Sequence, residues 1–156
     1  MRRAARSLVD AGLEPAVVVI SDDARFSDAL TGLRVVTVTN PSPEQGISGS
    51  IIAGLRALPE TTEAVLIAVG DQPHLTADAI AEIAGAFSAG KIVVPRYGDH
   101  RGNPPVFDRR FFPELLRLQG DRGGQSVIAA HPESVIELSL PVSMGHDVDR
   151  SEDWPA

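Results

Sequence analysis

Short apolar runs alternate with segments of helical periodicity, and this alternation constrains the fold more than any other feature of the chain. The apolar runs, which are predicted strands, cover residues 15–20, 34–39, 64–70, 91–95 and 134–140. Helices are predicted at 3–11 and 76–87, and another opens near residue 49. A short helix is predicted within 22–32, and 120–131 is predicted to be a glycine-rich turn followed by a short helix. The segment 108–118 is predicted to be a helix that is interrupted by Pro113 or starts there. Such alternation predicts an α/β fold in which helices cover both faces of a mostly parallel sheet.

Length and composition narrow the possible classes of protein. The 156 residues suit one domain spanning 1–156, and the net charge of -7 argues against nucleic acid as a partner. The chain has no cysteine, which excludes disulfides, thiolate zinc sites and cysteine nucleophiles. No apolar run approaches the roughly 20 residues of a membrane span, so we expect a cytoplasmic protein without membrane association.

Asp71 is the polar residue that follows the most apolar run, in the sequence "VLIAVGDQP". In open parallel sheets ligands bind beyond the carboxyl ends of the strands, where such a residue lies. A carboxylate there can hold Mg²⁺, which takes one or two carboxylates and completes its coordination with phosphate and water. The alternative is that Asp71 caps the turn before the next helix.

A second acidic cluster, "HDVDRSED" at 146–153, follows the last predicted strand. Asp147 and Asp149 alternate along it, so one faces each side of an extended segment. The preceding strand can return the chain to the sheet edge that carries Asp71, and the two remote carboxylates could then share a metal ion. The alternative is a solvated acidic tail.

Two glycine-bearing loops are further candidates for ligand binding. The loop "NPSPEQGISGS" at 40–50 leads into a helix, and its small residues allow backbone N–H groups to approach an anion. In "HRGNPPVF" at 100–107, Arg101 has the geometry to bind a phosphate through two hydrogen bonds. A flexible loop and a tight turn with a surface arginine are the respective alternatives. The four histidines show no metal-ligand spacing.

Several segments together resemble the molybdenum cofactor cytidylyltransferases, which are MobA-like NTP transferases. These segments are "NPSPEQGISGSIIAGL", "VLIAVGDQPHLT", "IVVPRYGDHRGNPPVF", "LQGDRGGQSVI" and "HDVDRSEDW". They occur in the order seen in that family and extend over nearly the whole chain. The resemblance implies a three-layer α/β/α, Rossmann-like nucleotidyltransferase fold. It also implies transfer of CMP from CTP to the terminal phosphate of molybdopterin, with release of pyrophosphate.

The same resemblance assigns roles to individual residues. Asp71 and Asp149 would be the catalytic carboxylates that bind Mg²⁺. The residues implied along the nucleotide are Asn40, Gly46, Ser48 and Ser50. Those implied to face the pterin are Arg101, Gly102, Asn103 and Pro104, with Gly120 and Asp121 nearby. The implied partners are CTP, molybdopterin, and a molybdoenzyme or chaperone, and the preference for CTP over GTP is taken from the resemblance.

The chain departs from the family pattern in two places. Arg150 and Ser151 replace the Thr-Pro that usually follows the two aspartates. The family also opens with a strand and the loop Leu-Ala-Ala-Gly-x-Ser-x-Arg-Met-Gly, whereas this chain begins with the helix that follows that loop. We therefore expect the N-terminal strand and the nucleotide-binding loop to be missing, which would leave unpaired backbone groups on neighbouring strands.

Because of these departures, the sequence leaves two interpretations of the chain's activity open. The chain is a nucleotidyltransferase, with little activity in the form given, or it is a non-catalytic or truncated member that binds the pterin cofactor or a partner protein. A sugar-nucleotide binder of the glycosyltransferase kind ranks below both, because Asp71-Gln72-Pro73 stands where an Asp-x-Asp is required.

Overall fold

The computed structural model describes residues 1–70, 72 and 75–144. The strands are β1 (Val17–Ile20), β2 (Val36–Thr39), β3 (Ala64–Leu66), β4 (Ile92–Tyr97), β5 (His100–Arg101), β6 (Val106–Asp108) and β7 (Val135–Leu140). The helices are α1 (Arg2–Asp10), α2 (Ala24–Leu30), α3 (Ile47–Arg56), α4 (Ala77–Gly85), α5 (Phe112–Leu115) and α6 (Gln125–Ala130). In this part of the chain no helix has the length and apolar character that crossing a membrane requires.

The described strands form two sheets. The first contains only β1 and β2, which pair in parallel from Val17 opposite Val36 to Ile20 opposite Thr39. The second has the order β3-β6-β4-β5, and β7 pairs in parallel with β4. β6 runs antiparallel to both of its neighbours, β3 and β4, and β5 runs antiparallel to β4.

The α/β class is confirmed, and the sheet is more mixed than the sequence predicts. Parallel pairing holds for β1–β2 and β4–β7. β4 extends beyond the predicted strand 91–95 to Tyr97, and it is followed by the short strand β5, which was not predicted. β6, which was not predicted, inserts between β3 and β4. The direction of a buried strand is not encoded in its apolarity, since a strand covered by helices on both faces is apolar whichever way it runs.

Helices cover both faces of the second sheet, as a three-layer fold requires. Side chains of β4 alternate between the two faces: Ile92 and Val94 pack with Phe107 and α3, whereas Val93 packs with Ile80 and Ile83 of α4. All of the β4 side chains from Ile92 to Val94 are fully buried. β4 is therefore the centre of the core.

α4 shows how the sequence fixes an element boundary. The sequence predicts an amphipathic helix that begins after Thr76, and the hydroxyl of Thr76 accepts a hydrogen bond from the N–H of Ala79 at 3.2 Å. This is the N-cap interaction expected of threonine. The side chain of Ile83 is fully buried on the face that packs against the sheet.

β3 differs from the prediction made for it. The run 64–70 is the most apolar in the chain and was predicted to be a strand over its whole length, but only Ala64–Leu66 form one, and they are partly exposed. β1 is likewise only partly buried from Val17 to Val19. Both strands lie at the edges of their sheets, which explains the exposure.

Candidate functional site

A cavity of about 280 Å³ opens where β1 and β2 end and α3 begins. Three of the residues that the sequence implied along a nucleotide line it: Asn40, Gly46 and Ser50. Among the described residues, no charged side chain lines the cavity. Its polar groups are hydroxyls, an amide and the backbone at the start of a helix.

Asn40 follows β2 and is almost completely buried, with 7% of its surface exposed. Its backbone N–H donates to the carbonyl of Ile20 at 2.8 Å, which extends the β1–β2 pairing by one residue. Its side-chain Oδ1 accepts a hydrogen bond from the N–H of Ser42 at 2.9 Å, and its Nδ2 donates to Ser50 Oγ at 3.1 Å. Asn40 thus fixes both the loop after β2 and the position of Ser50.

α3 approaches Asn40 closely because Gly49 has no side chain. A Cβ at Gly49 would lie 3.2 Å from both the Oδ1 and the Nδ2 of Asn40. Ser50 is the next residue, and its Oγ accepts the hydrogen bond from Asn40, so its own proton stays available to donate to a ligand.

Ser48 has a different environment from the other implied nucleotide residues. It is fully buried, and its hydroxyl donates to the carbonyl of Gln45 at 2.9 Å. Its backbone N–H donates to the carbonyl of Gly120 at 3.1 Å. These bonds anchor the loop before α3.

Gly120 and Asp121 lie beside the start of α3, and the position near the pterin that the resemblance implies for them stays a prediction. Asp121 Oδ1 accepts a hydrogen bond from the N–H of Ile47 at 3.3 Å. Gly46 has φ 69° and ψ −156°, a region that residues with a side chain rarely adopt, and a Cβ there would overlap Asp121 Oδ1. The loop at 120–121 and the loop at 46–48 therefore form one packed unit.

Arg101 belongs to a separate charged group on the surface of the second sheet. Its Nε donates to Glu137 Oε1 at 2.6 Å, and Arg96 Nη1 donates to Glu137 Oε2 at 3.0 Å. These hydrogen bonds, that of Arg101 first and that of Arg96 second, hold the pKa of the Glu137 carboxyl below its usual value. The Nη groups of Arg101 make no hydrogen bond within the described part of the chain, so they remain available to bind an anion.

The residues that follow Arg101 pack against Tyr97. The N–H of Gly102 donates to the carbonyl of Pro95 at 2.9 Å, and a Cβ at Gly102 would lie 2.7 Å from Tyr97 Cε2. The hydroxyl of Tyr97 donates to the carbonyl of Asn103 at 2.7 Å. Pro104 is fully buried. Tyr97 thus holds the backbone of this loop in place.

The predicted metal ligands, Asp71 and Asp149, lie outside the described residues. Within those that are described, no three histidine, aspartate or glutamate side chains come together in a way that could hold a metal ion. The two aspartates are chemically suited to Mg²⁺, because it prefers carboxylate oxygen. Their role stays a prediction.

The sequence analysis missed two residues that line the cavity and one that binds Arg101. Ser21 and Ile47 line the cavity, and Glu137 binds Arg101. Ser21 is the first polar residue after β1, so the argument that singled out Asp71 could have found it. Glu137 is the one charged residue within β7, and only the pairing of β7 with β4 brings it beside Arg96.

A comparison with models of known protein families shows which family this chain matches. The model of the MobA-like NTP transferase domain matches residues 1–135. No curated protein sequence matches the chain.

Solved structures share the fold. The crystal structure of Rv0371c from Mycobacterium tuberculosis H37Rv superposes with a TM-score of 0.82 at 25% identity, over 98% of this chain and 80% of that one. A complex of Rv0371c with manganese has a TM-score of 0.79 at 26% identity, over 98% of this chain and 83% of that one. A nucleotidyl transferase from Methanothermobacter thermautotroptrophicus has a TM-score of 0.80 at 21% identity, over 98% and 76% of the two chains.

The family match extends over most of the chain and agrees with the three-layer architecture and with the resemblance read from the sequence. It indicates a nucleotidyltransferase. The chain belongs to the family of MobA-like NTP transferase domains.

Proposed function

We propose that this protein transfers CMP from CTP to molybdopterin and releases pyrophosphate, as a nucleotidyltransferase of molybdenum cofactor biosynthesis. The observation that best supports the proposal is the cavity itself: Asn40, Gly46 and Ser50, which the resemblance implies along a nucleotide, line it together with Ser21, which follows β1. An uncharged cavity with hydroxyl and amide groups suits the base and ribose of a nucleotide better than its triphosphate.

Within this proposal the described residues bind and orient the donor. Asn40 fixes Ser50 through its Nδ2, and Ser50 is then free to donate its proton to the nucleotide. Gly120 and Asp121 hold the loop that begins α3, because they accept hydrogen bonds from Ser48 and Ile47. The loop therefore does not have to be ordered when the nucleotide binds, which lowers the entropic cost of binding.

Asp71 and Asp149 would hold the divalent ion, which is Mg²⁺ in this proposal. The manganese complex of Rv0371c supports the use of a divalent ion by this chain as well. When bound, the ion neutralises charge on the triphosphate.

Arg101 would bind the terminal phosphate of the acceptor. Its Nε is held by Glu137, so the side chain is oriented before the substrate arrives, and its Nη groups can donate to phosphate oxygens. One oxygen of that phosphate attacks the α-phosphorus of CTP, and the bond from this phosphorus to the leaving pyrophosphate breaks. No general base is needed, because the attacking phosphate is already an anion.

The proposal is tested by incubating the chain with molybdopterin, Mg²⁺ and CTP labelled at the α-phosphate. We expect labelled CMP on the pterin, with one pyrophosphate released for each CMP transferred. Asp71→Asn should abolish transfer, whereas the matched variant Asp22→Asn, which changes an exposed aspartate of the loop before α2, should retain it. Equal transfer by the Asp71→Asn protein, or pyrophosphate release without a labelled pterin, would contradict the proposal.

A further inference from the structure

Two arginines lie opposite each other on the hairpin formed by β4 and β5. Arg96 pairs with Arg101 in the antiparallel register, and the turn between the two strands has only two residues, Gly98 and Asp99. Cross-strand partners share one face of a sheet, so the two guanidinium groups are neighbours. Like charges directly opposite each other destabilise a sheet, and this pair therefore needs a counter-charge.

Glu137 supplies that counter-charge from β7. Its Oε1 accepts a hydrogen bond from Arg101 Nε at 2.6 Å, and its Oε2 accepts one from Arg96 Nη1 at 3.0 Å. Each oxygen of the carboxylate holds one arginine, which fixes the two guanidinium groups beside each other. The Nε of Arg96 also donates to the carbonyl of Gly98 at 2.9 Å, in the turn.

These contacts leave donors on both arginines unused. Within the described part of the chain, the Nη groups of Arg101 and the Nη2 of Arg96 make no hydrogen bond. The side chains of Arg96 and Arg101 are 38% and 46% exposed, so a ligand in solvent can reach these N–H groups. Two guanidinium groups held side by side suit an anion with several oxygens.

The charges around the pair do not balance. Two guanidinium groups share one carboxylate, and Asp99 Oδ1 lies 3.8 Å from Arg96 Nη2 on a side chain that is 99% exposed, where water and salt screen it. His100 alternates with Arg101 along β5 and so faces the opposite side of the sheet. The pair therefore keeps positive charge in a chain whose net charge is -7. Surface ion pairs contribute little to stability, so stability alone does not explain this arrangement.

The position of the pair relates it to the nucleotide cavity. Glu137 lies opposite Val94 of β4, and Arg96 follows Val94 by two residues, so all three face the same side of the second sheet. On that side Val94 belongs to one apolar cluster with Ile51 of α3. Ser50, which lines the cavity, precedes Ile51 in the same helix. The pair also lies at the carboxyl end of β4, where open α/β sheets bind ligands.

We propose that Arg96 and Arg101 together bind the terminal phosphate of the acceptor, that Glu137 is the positioning residue for both, and that the site selects a phosphate monoester. The inference rests on the proposed function and adds to it a second phosphate-binding arginine and the chemical class of the acceptor.

The chemistry of the two kinds of phosphate ester explains the selection. A monoester has three terminal oxygens and a charge of about −1.5 to −2 at pH 7. Each arginine binds one oxygen, and the third forms the bond to the α-phosphorus of CTP while the bond from that phosphorus to pyrophosphate breaks. A diester has only two such oxygens and a single charge, so no oxygen is left to attack once both arginines are bound.

Binding of the phosphate is tested first, without any transfer reaction. The full chain is titrated with methyl phosphate and, separately, with dimethyl phosphate, and NMR follows the Nε–H signals of Arg96 and Arg101. We expect methyl phosphate to shift both signals. Dimethyl phosphate should bind about 10-fold more weakly, which is the loss expected for one charge-assisted hydrogen bond.

Variants of Arg96 test whether it binds the phosphate directly. Arg96→Gln should weaken binding of methyl phosphate about 10-fold, and Arg96→Lys should weaken it less, because lysine keeps the charge but not the planar fork. Arg34→Gln is the matched control and should leave the affinity unchanged, since Arg34 pairs with Glu14 instead. Thermal unfolding of each variant checks that it is folded.

Glu137→Gln distinguishes a positioning residue from a simple counter-ion. Removal of a negative charge beside the phosphate tightens binding if charge alone matters. If Glu137 holds the arginines in place, its loss leaves two side chains to be ordered by the ligand, and methyl phosphate binds about 5-fold more weakly. The inference predicts weaker binding.

Failure of this inference and failure of the proposed function give different results. No shift with methyl phosphate, equal affinity for the two esters, unchanged affinity in Arg96→Gln or tighter binding in Glu137→Gln would each overturn the inference, even where CMP is transferred to molybdopterin. Binding as expected without any transfer of CMP would support the two-arginine phosphate site and overturn the proposed function.

Discussion

Gly102 lies against the ring of Tyr97, at a distance that leaves no room for a side chain. The sequence identified Gly102 by its place in the "RGNP" motif and assigned it to the substrate. The structure adds a second reason for a glycine, because a Cβ would lie 2.7 Å from Tyr97 Cε2 and Tyr97 itself is buried. The glycine of this motif therefore has a packing reason that the sequence does not reveal, and its role towards the substrate stays a prediction.

We predict that Gly102→Ala destabilises the protein by about 1–3 kcal/mol, because Tyr97 must move in a closely packed environment. The free energy of unfolding in urea measures this. Gly85→Ala is the matched control: Gly85 ends α4, and a Cβ there meets nothing within 4 Å. That variant should be neutral or slightly stabilising. Equal effects of the two substitutions would refute the packing argument.

The ion pairs of Glu137 lead to a prediction about pH. Because Arg101 and then Arg96 lower the pKa of Glu137 in the folded state, the carboxylate stabilises the fold above its unfolded pKa of about 4.3. That stabilisation is lost as the pH falls through the lower, folded pKa. Arg101→Ala should raise the pKa of Glu137 towards its usual value, as measured by NMR titration of the carboxyl carbon.

The control for this titration is Arg34→Ala, since Arg34 pairs with Glu14 rather than Glu137. It should leave the Glu137 titration unchanged. If Arg101→Ala also left it unchanged, the hydrogen bond between Arg101 and Glu137 would not exist in solution.

At the scale of elements, the sequence predicted those with a strong local signal and missed those that depend on distant pairing. α4 was predicted nearly to its boundaries, because Thr76 caps it and its apolar residues recur with helical period. β5 and β6 were missed, because each has only two or three residues, and pairing with β4 is what makes them strands. The hydrogen bond from the Ser48 hydroxyl to the carbonyl of Gln45 also depends on the fold, whereas the place of Ser48 along a nucleotide stays a prediction.

The start of α3 provides a prediction at this scale. Gly46→Ala should cost about 1–3 kcal/mol, because it combines a strained backbone with the overlap between the new Cβ and Asp121. In an Asp121→Ala background the overlap with the carboxylate is gone, and the strain and the close approach to the Gly120 backbone remain, so the same substitution should cost less. A double-mutant cycle of urea unfolding measures the difference. Strictly additive effects would mean that the two loops do not pack as described.

At the scale of the whole molecule, the sequence predicted the class of fold and its layers, but it did not predict that the described strands are divided between two sheets. One mostly parallel sheet was expected, whereas the described strands form two sheets with a groove between β1 and β3. Apolar runs show that a strand will be covered, but they do not show which strand lies beside it. The partial exposure of β1 and β3, which the sequence did not predict, follows from the gap between them.

The measurement that tests the central claim most directly is thermal unfolding of this chain with Mg²⁺ and CTP, compared with Mg²⁺ and GTP. A nucleotide present at 100 times its Kd stabilises the folded state by about 2.7 kcal/mol, which corresponds to several degrees in a protein of this size. We predict a rise in Tm that requires Mg²⁺, is larger with CTP, and is lost in Asp71→Asn. A cooperative transition that neither nucleotide shifts would contradict the proposed function.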